Sequence, residues 1–157
     1  MNTDATASAV RREIVVEAAA ERAFETFTSG FDRWWPREHK LGEADLEEVV
    51  LEPRAGGRWY ERCVDGSECD WGEVLAFEPS RRLLLSWLLD PDFAIDADSP
   101  TEIEVLFKAE GPDRTRVTLE HRGLERFGPE GASKMADALD SEGGWRGILE
   151  RFAEAAR

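Results

Sequence analysis

The stretch 56–87, GGRWYERCVDGSECDWGEVLAFEPSRRLLLSW, carries large aromatic residues on segments that have to lie side by side. Three of the chain's six tryptophans, Trp59, Trp71 and Trp87, fall in it. Asp65-Gly66 is a hairpin signal between two runs that alternate apolar and charged residues. Glu78-Pro79-Ser80 is a second turn leading directly into the apolar run Leu83-Leu84-Leu85. Bulky aromatics on successive antiparallel strands predict a curved sheet with a broad apolar face. Such a face must be covered, or it must hold something. Side chains alternate along a strand, so Trp59, Glu61 and Cys63 share one face and Arg58, Tyr60 and Arg62 the other. The same parity groups Trp71, Glu73 and Leu75.

The flanking sequence extends the pattern. Val10–Glu17 alternates and reads as a first strand, and Ala18–Thr28 has helical spacing with Ala20, Phe24 and Phe27 on one stripe. Gly30 reads as its stop signal. Phe31–Trp35 is a short helical turn ended by Pro36. Trp34 and Trp35 are adjacent and cannot face the same way, so one is expected to cover the mouth of the sheet and the other to reach core or solvent. Further strands are predicted at Leu46–Leu51, Arg58–Cys63, Cys69–Phe77, Arg82–Leu89, Thr101–Ala109 and Thr115–Arg122. In the sixth strand Ile103, Val105 and Phe107 face one way; in the seventh, Val117, Leu119 and His121 do. Gly123–Gly131 reads as a glycine-rich connection, and Ala132–Asp140 as a short helical piece. Ser141 is the expected N-cap of a last helix with the apolar stripe Trp145, Ile148, Leu149 and Phe152. A meander of strands with one amphipathic helix left over has an obvious packing, in which the sheet curls and grips that helix.

Charge and composition narrow the function. The 157 residues suit one domain, expected to span 1–157 with 1–9 flexible. A formal net charge of -14 repels phosphate backbones and anionic lipid, so neither nucleic acid nor membrane is an expected partner. No apolar run approaches the ~20 residues of a membrane span. Met1–Ser8 lacks the basic start and apolar stretch of a signal peptide, so the expected setting is cytoplasmic.

The candidates for chemistry are few. Cys63 and Cys69 flank the hairpin turn, opposite each other if the loop has three residues and offset if it has two; in the cytoplasm they read as free thiols. The two histidines, His39 and His121, lack a second close histidine, so no metal and no cofactor is expected. His121 with Glu61 or Glu73 is the only acid–base set on offer, and His121 also reads as a core histidine. No nucleophile elbow, phosphate loop or dinucleotide fingerprint is present.

Four segments carry a family resemblance: Ala20-Glu21-Arg22-Ala23-Phe24 with Trp34-Trp35-Pro36; Gly56-Gly57-Arg58-Trp59; Gly72-Glu73-Val74 through Glu78-Pro79 to Leu83 and Trp87; and Gly144-Trp145 with Leu149. In this order they resemble the START-like (SRPBCC) superfamily, and within it a single-domain member of the Aha-type family, named for the activator of the heat-shock-protein-90 ATPase. The resemblance implies an α+β helix-grip fold (START-like, Bet v-like). A curved antiparallel sheet of about six or seven strands would wrap a long C-terminal helix, with two short helices after the first strand. It also implies a binding module with an apolar cavity for a hydrophobic or aromatic molecule. The expected lining is Trp35, Trp59, Glu61, Trp71 and Glu73, together with Trp87, Phe107, His121, Trp145 and Leu149. The alternatives are a co-chaperone-like interaction domain of the stress response, and a cyclase- or hydrolase-type enzyme using His121 and a strand carboxylate. Paired sheet edges or an apolar patch would support a homodimer.

Overall fold

Where the sequence alternates with period two, the chain is extended; where apolar residues recur every three or four, it is helical. The computed structural model describes residues 9–36, 39, 42–90, 92, 94, 96, 98, 100–140 and 144–157. Within them the order is β1 (Ala9–Val16), α1 (Ala20–Phe27), α2 (Phe31–Trp34), β2 (Leu46–Leu51), β3 (Arg58–Cys63), β4 (Glu68–Glu78), β5 (Arg82–Trp87), β6 (Thr101–Gly111) and β7 (Arg114–Arg122). A 3-10 turn (Leu124–Phe127), α3 (Gly128–Leu139) and α4 (Trp145–Ala156) follow.

The strands form one antiparallel sheet in the order β1-β7-β6-β5-β4-β3-β2. Chain neighbours are sheet neighbours from β2 to β7, and β1 closes on β7 with Val10 opposite His121 and Val16 opposite Thr115. The sheet curls into a half-barrel around the C-terminal helix, which is the helix-grip arrangement. α4 lies against β1, α1 and α2, and buries Trp145, Ile148, Leu149, Phe152 and Ala156. α1 buries Ala23, Phe24 and Phe27 against β6 and β7. Asp32 of α2 accepts a hydrogen bond from the Val49 backbone N–H at 2.9 Å, tying that helix to β2.

The convex face carries the charge. Arg122 pairs with Glu102, Glu104 and Glu120, Arg82 with Glu104 and Glu78, and Arg58 with Glu68 and Asp70. Each such pair contributes little, about 0–1 kcal/mol, but together they keep that face wet and the other one apolar.

Two details differ from the sequence reading. The segment after β7 is helical from Gly128, not from Ala132. Pro129 sits in the first helical turn, where its missing N–H costs nothing, and Ala132, Met135 and Leu139 form the buried stripe. Of the three glycines in that stretch, Gly128 and Gly131 lie in the first turn of the helix, and Gly123 precedes the 3-10 turn. The loop joining β3 to β4 has four residues, 64–67, so Cys69 lies opposite Glu61, not opposite Cys63. The expected cap Ser141 lies outside the described residues. α4 starts behind Gly144, where a Cβ would come within 2.3 Å of the Leu139 carbonyl oxygen ending α3.

Candidate functional site

Three adjacent strands and two helices deliver tryptophans to one place. β3 supplies Trp59, β4 Trp71 and β5 Trp87. Trp35 enters just after α2, and Trp145 opens α4. All five are buried, and their rings form a continuous group. Centroids are 5.5 Å apart for Trp59–Trp71 and Trp59–Trp87, 5.0 Å for Trp35–Trp71, 6.2 Å for Trp87–Trp145 and 6.3 Å for Trp35–Trp145. These edge-on and tilted contacts suit the ring quadrupoles. Trp34 is buried as well, against Phe27, Phe31 and Phe152. Both members of the Trp34-Trp35 pair are therefore buried core residues that share Phe31 as a neighbour.

The polar partners of this group are specific. Trp34 donates to the Thr26 carbonyl and Trp35 to the His39 carbonyl, each at 2.8 Å. Trp71 donates to Glu61 Oε1 at 2.9 Å. Glu61 is fully buried, and its Oε2 accepts the Gly42 backbone N–H at 2.8 Å, with the Cys63 thiol 3.6 Å away. Burial pushes the Cys63 thiol pKa up, which keeps it protonated beside that carboxylate. Cys69 is free and half-buried, and burial raises its pKa too.

His121 is also fully buried. Trp145 Nε1 donates to its Nδ1 at 3.1 Å, and its Nε2 lies 2.8 Å from Thr101 Oγ1. An indole nitrogen can only donate, so Nδ1 is the acceptor and the ring proton sits on Nε2, donating to Thr101. Burial lowers the His121 pKa to about 3, so the ring is neutral. With both nitrogens occupied by neutral partners and no exposed surface, His121 locks β7, β6 and α4 together. It is not placed to exchange protons with a substrate.

Among the described residues, two indole donors of this group have no partner. Trp59 Nε1 and Trp87 Nε1 are buried and make no hydrogen bond, although their rings are neighbours.

The ten residues read from the sequence as a lining thus separate. Trp35, Trp59, Glu61, Trp71, Trp87, His121 and Trp145 come together. Phe107 lies with Phe24 and Phe27, at ring distances of 5.1 and 5.9 Å, in a phenylalanine group beside them. Leu149 is buried in the core on α4. Glu73 is the correction: it is exposed, and its backbone N–H donates to Ser86 Oγ at 2.8 Å. Arg58 opposite it pairs with Glu68 and Asp70 instead. Thr101, which fixes the His121 tautomer, was not singled out in the sequence. Its parity with Ile103, Val105 and Phe107 was the available signal. Among the described residues, no three His, Cys, Asp or Glu side chains converge as a metal site would require.

Comparison with known proteins agrees with this architecture. A solved anthrahydroquino-gamma-pyrone synthase, Txn09, is 40% identical, with 94% of this chain and 96% of that one covered and a TM-score of 0.65. The self-sacrificing resistance protein CalC from Micromonospora echinospora is 31% identical, with 95% and 94% covered and a TM-score of 0.70. Protein NE0264 from Nitrosomonas europaea, at 12% identity, a TM-score of 0.66, and 96% and 94% covered, shares the fold alone. No curated protein sequence matches the chain. The family described as Activator of Hsp90 ATPase homolog 1-like protein matches residues 17–157, nearly the whole of the curled sheet and its helices, and the chain belongs to that family.

Proposed function

We propose that the protein binds a small aromatic molecule against the tryptophan group between β3–β5 and α4. The observation that carries this reading is the convergence of Trp59, Trp71 and Trp87 from three neighbouring strands with Trp35 and Trp145 from the helices. A core needs volume and shape, which leucine and isoleucine supply without polar atoms. Indoles offer flat, polarizable faces and a polar edge, the qualities of a seat for a flat ring system with a few polar groups. The likeness to an anthrahydroquino-gamma-pyrone synthase supports a ligand of this kind. The neutral, enclosed His121 supports binding over acid–base catalysis by that residue. Among the described residues the large exposed apolar side chains are Val64, Leu75 and Leu106, and they do not favour the protein-interaction reading.

The test is a thermal-shift and tryptophan-quenching titration with naphthalene, fluorene, flavone and palmitate. At tenfold excess over Kd a ligand adds about 1.4 kcal/mol, which raises Tm by roughly 3–6 °C in a domain of this size. A flat aromatic should produce that rise with saturable quenching, and palmitate should not. If no aromatic compound gives either response, the reading fails.

A further inference from the structure

The two unpartnered indole donors point to the polar chemistry of the ligand. Trp59 is fully buried and Trp87 is 4% exposed, and neither Nε1–H has an acceptor. Leaving a buried donor unmet costs about 1–3 kcal/mol, and two such donors on rings 5.5 Å apart are a concentrated cost in an otherwise well-matched polar network. Three acceptor side chains among the neighbouring residues take hydrogen bonds from other rings. Glu61 Oε1 takes the Trp71 N–H, His121 Nδ1 takes the Trp145 N–H, and Thr101 Oγ1 takes the His121 N–H. The group therefore presents two free donors. What fits is an oxygen that accepts and does not donate. The buried carboxylate of Glu61, held by the ring next to Trp59, disfavours an anion, as does the net charge of -14.

Building on the proposed binding role, we infer that Trp59 and Trp87 form a two-donor clamp for the carbonyl oxygen of a neutral aryl ketone or quinone. The oxygen sits between the two Nε1–H groups, and the ring system lies against Trp71 and Trp145. Specificity then comes from the oxygen and general affinity from the rings: an analogue lacking the oxygen still packs but leaves both donors unmet.

9-Fluorenone and fluorene test the clamp, because they share a flat tricyclic shape and differ only in a carbonyl against a methylene. Calorimetric titration of the full chain should show fluorenone binding about tenfold tighter. Trp59→Phe and Trp87→Phe keep a ring and delete a donor. Each should shrink the ratio of fluorenone to fluorene affinity, with fluorene measured in the same variant as the reference for the lost ring contact. A second measurement needs no variant. In a ¹⁵N-labelled protein, the difference between the fluorenone and fluorene complexes should be a downfield shift of the Trp59 and Trp87 indole protons, with those of Trp34, Trp35, Trp71 and Trp145 unmoved. Equal affinity for the two compounds, with no differential shift, overturns the clamp and leaves the aromatic seat standing; the two N–H groups would then be pointing at neighbouring ring faces. A fluorenone preference that survives in both Phe variants also overturns it. Binding of neither compound overturns the clamp and the seat together.

Discussion

At the scale of single residues, His121 shows how burial turns a reactive group into a structural one. Its ring accepts a hydrogen bond from Trp145 and donates one to Thr101, and no charge faces it to compensate a proton. Its folded pKa of about 3 lies below the ordinary 6.5, so between these values the unfolded chain binds the extra proton. The stabilisation is complete above about pH 6.5 and is lost as pH falls toward about 3, with a slope approaching about 1.4 kcal/mol per pH unit from this group. Urea unfolding at about pH 7.5, 6 and 5 should show the decline. His121→Gln should be less stable at neutral pH, yet lose less on acidification than the wild type. Parallel pH profiles for the two proteins would show that His121 is not the source. Glu61 is the complementary case: a buried carboxylate whose two oxygens satisfy Trp71 and the Gly42 backbone, so its role in holding the site is visible in the structure alone.

At the scale of elements, β4 explains where sequence parity fails. Simple alternation puts Trp71, Glu73, Leu75 and Phe77 on one face. Against β3, Trp59 pairs with Gly72 and Tyr60 with Asp70, leaving Trp71 as an extra residue; against β5, Val74 pairs with Leu85 and Ala76 with Leu84, leaving Leu75 extra. Each bulge reverses the alternation. Trp71 and Phe77 therefore stay inward, while Val74 replaces Glu73 and Leu75 between them. The exchange buries a valine and leaves a carboxylate in water, which burial energetics strongly favours. Gly72 makes it feasible, because a Cβ there would lie 1.8 Å from the Ser86 carbonyl oxygen of β5. Gly72→Ala should cost about 3 kcal/mol in urea unfolding, since the obstacle is backbone that cannot swing aside. A loss under about 1 kcal/mol would mean that β5 can shift freely there.

At the scale of the whole molecule, the charge distribution and the apolar interior are separate systems. Arg–Glu pairs on the convex face neutralise one another locally, yet the chain keeps a net charge of -14. Self-repulsion at that charge opposes compactness and is screened by salt. Raising NaCl from about 0.02 to 0.3 M should therefore raise Tm; a fall would show that the surface ion pairs outweigh the repulsion.

What the sequence determined by itself was the sheet and its grip. Periodicity, the Asp65-Gly66 and Pro79-Ser80 turns and the stripe Trp145–Phe152 suffice for these, because alternation and helical spacing are local properties. It also identified most of the tryptophan group, since large apolar residues on neighbouring strands have one face to share. The tertiary structure alone decided which polar groups are satisfied. The bulges of β4 depend on what β3 and β5 allow. The His121 tautomer depends on Trp145, 24 residues away in sequence. The unmet donors of Trp59 and Trp87 are defined only once their folded neighbours are in place. Hydrogen-bond satisfaction is a property of the folded neighbourhood, and no window of sequence contains it.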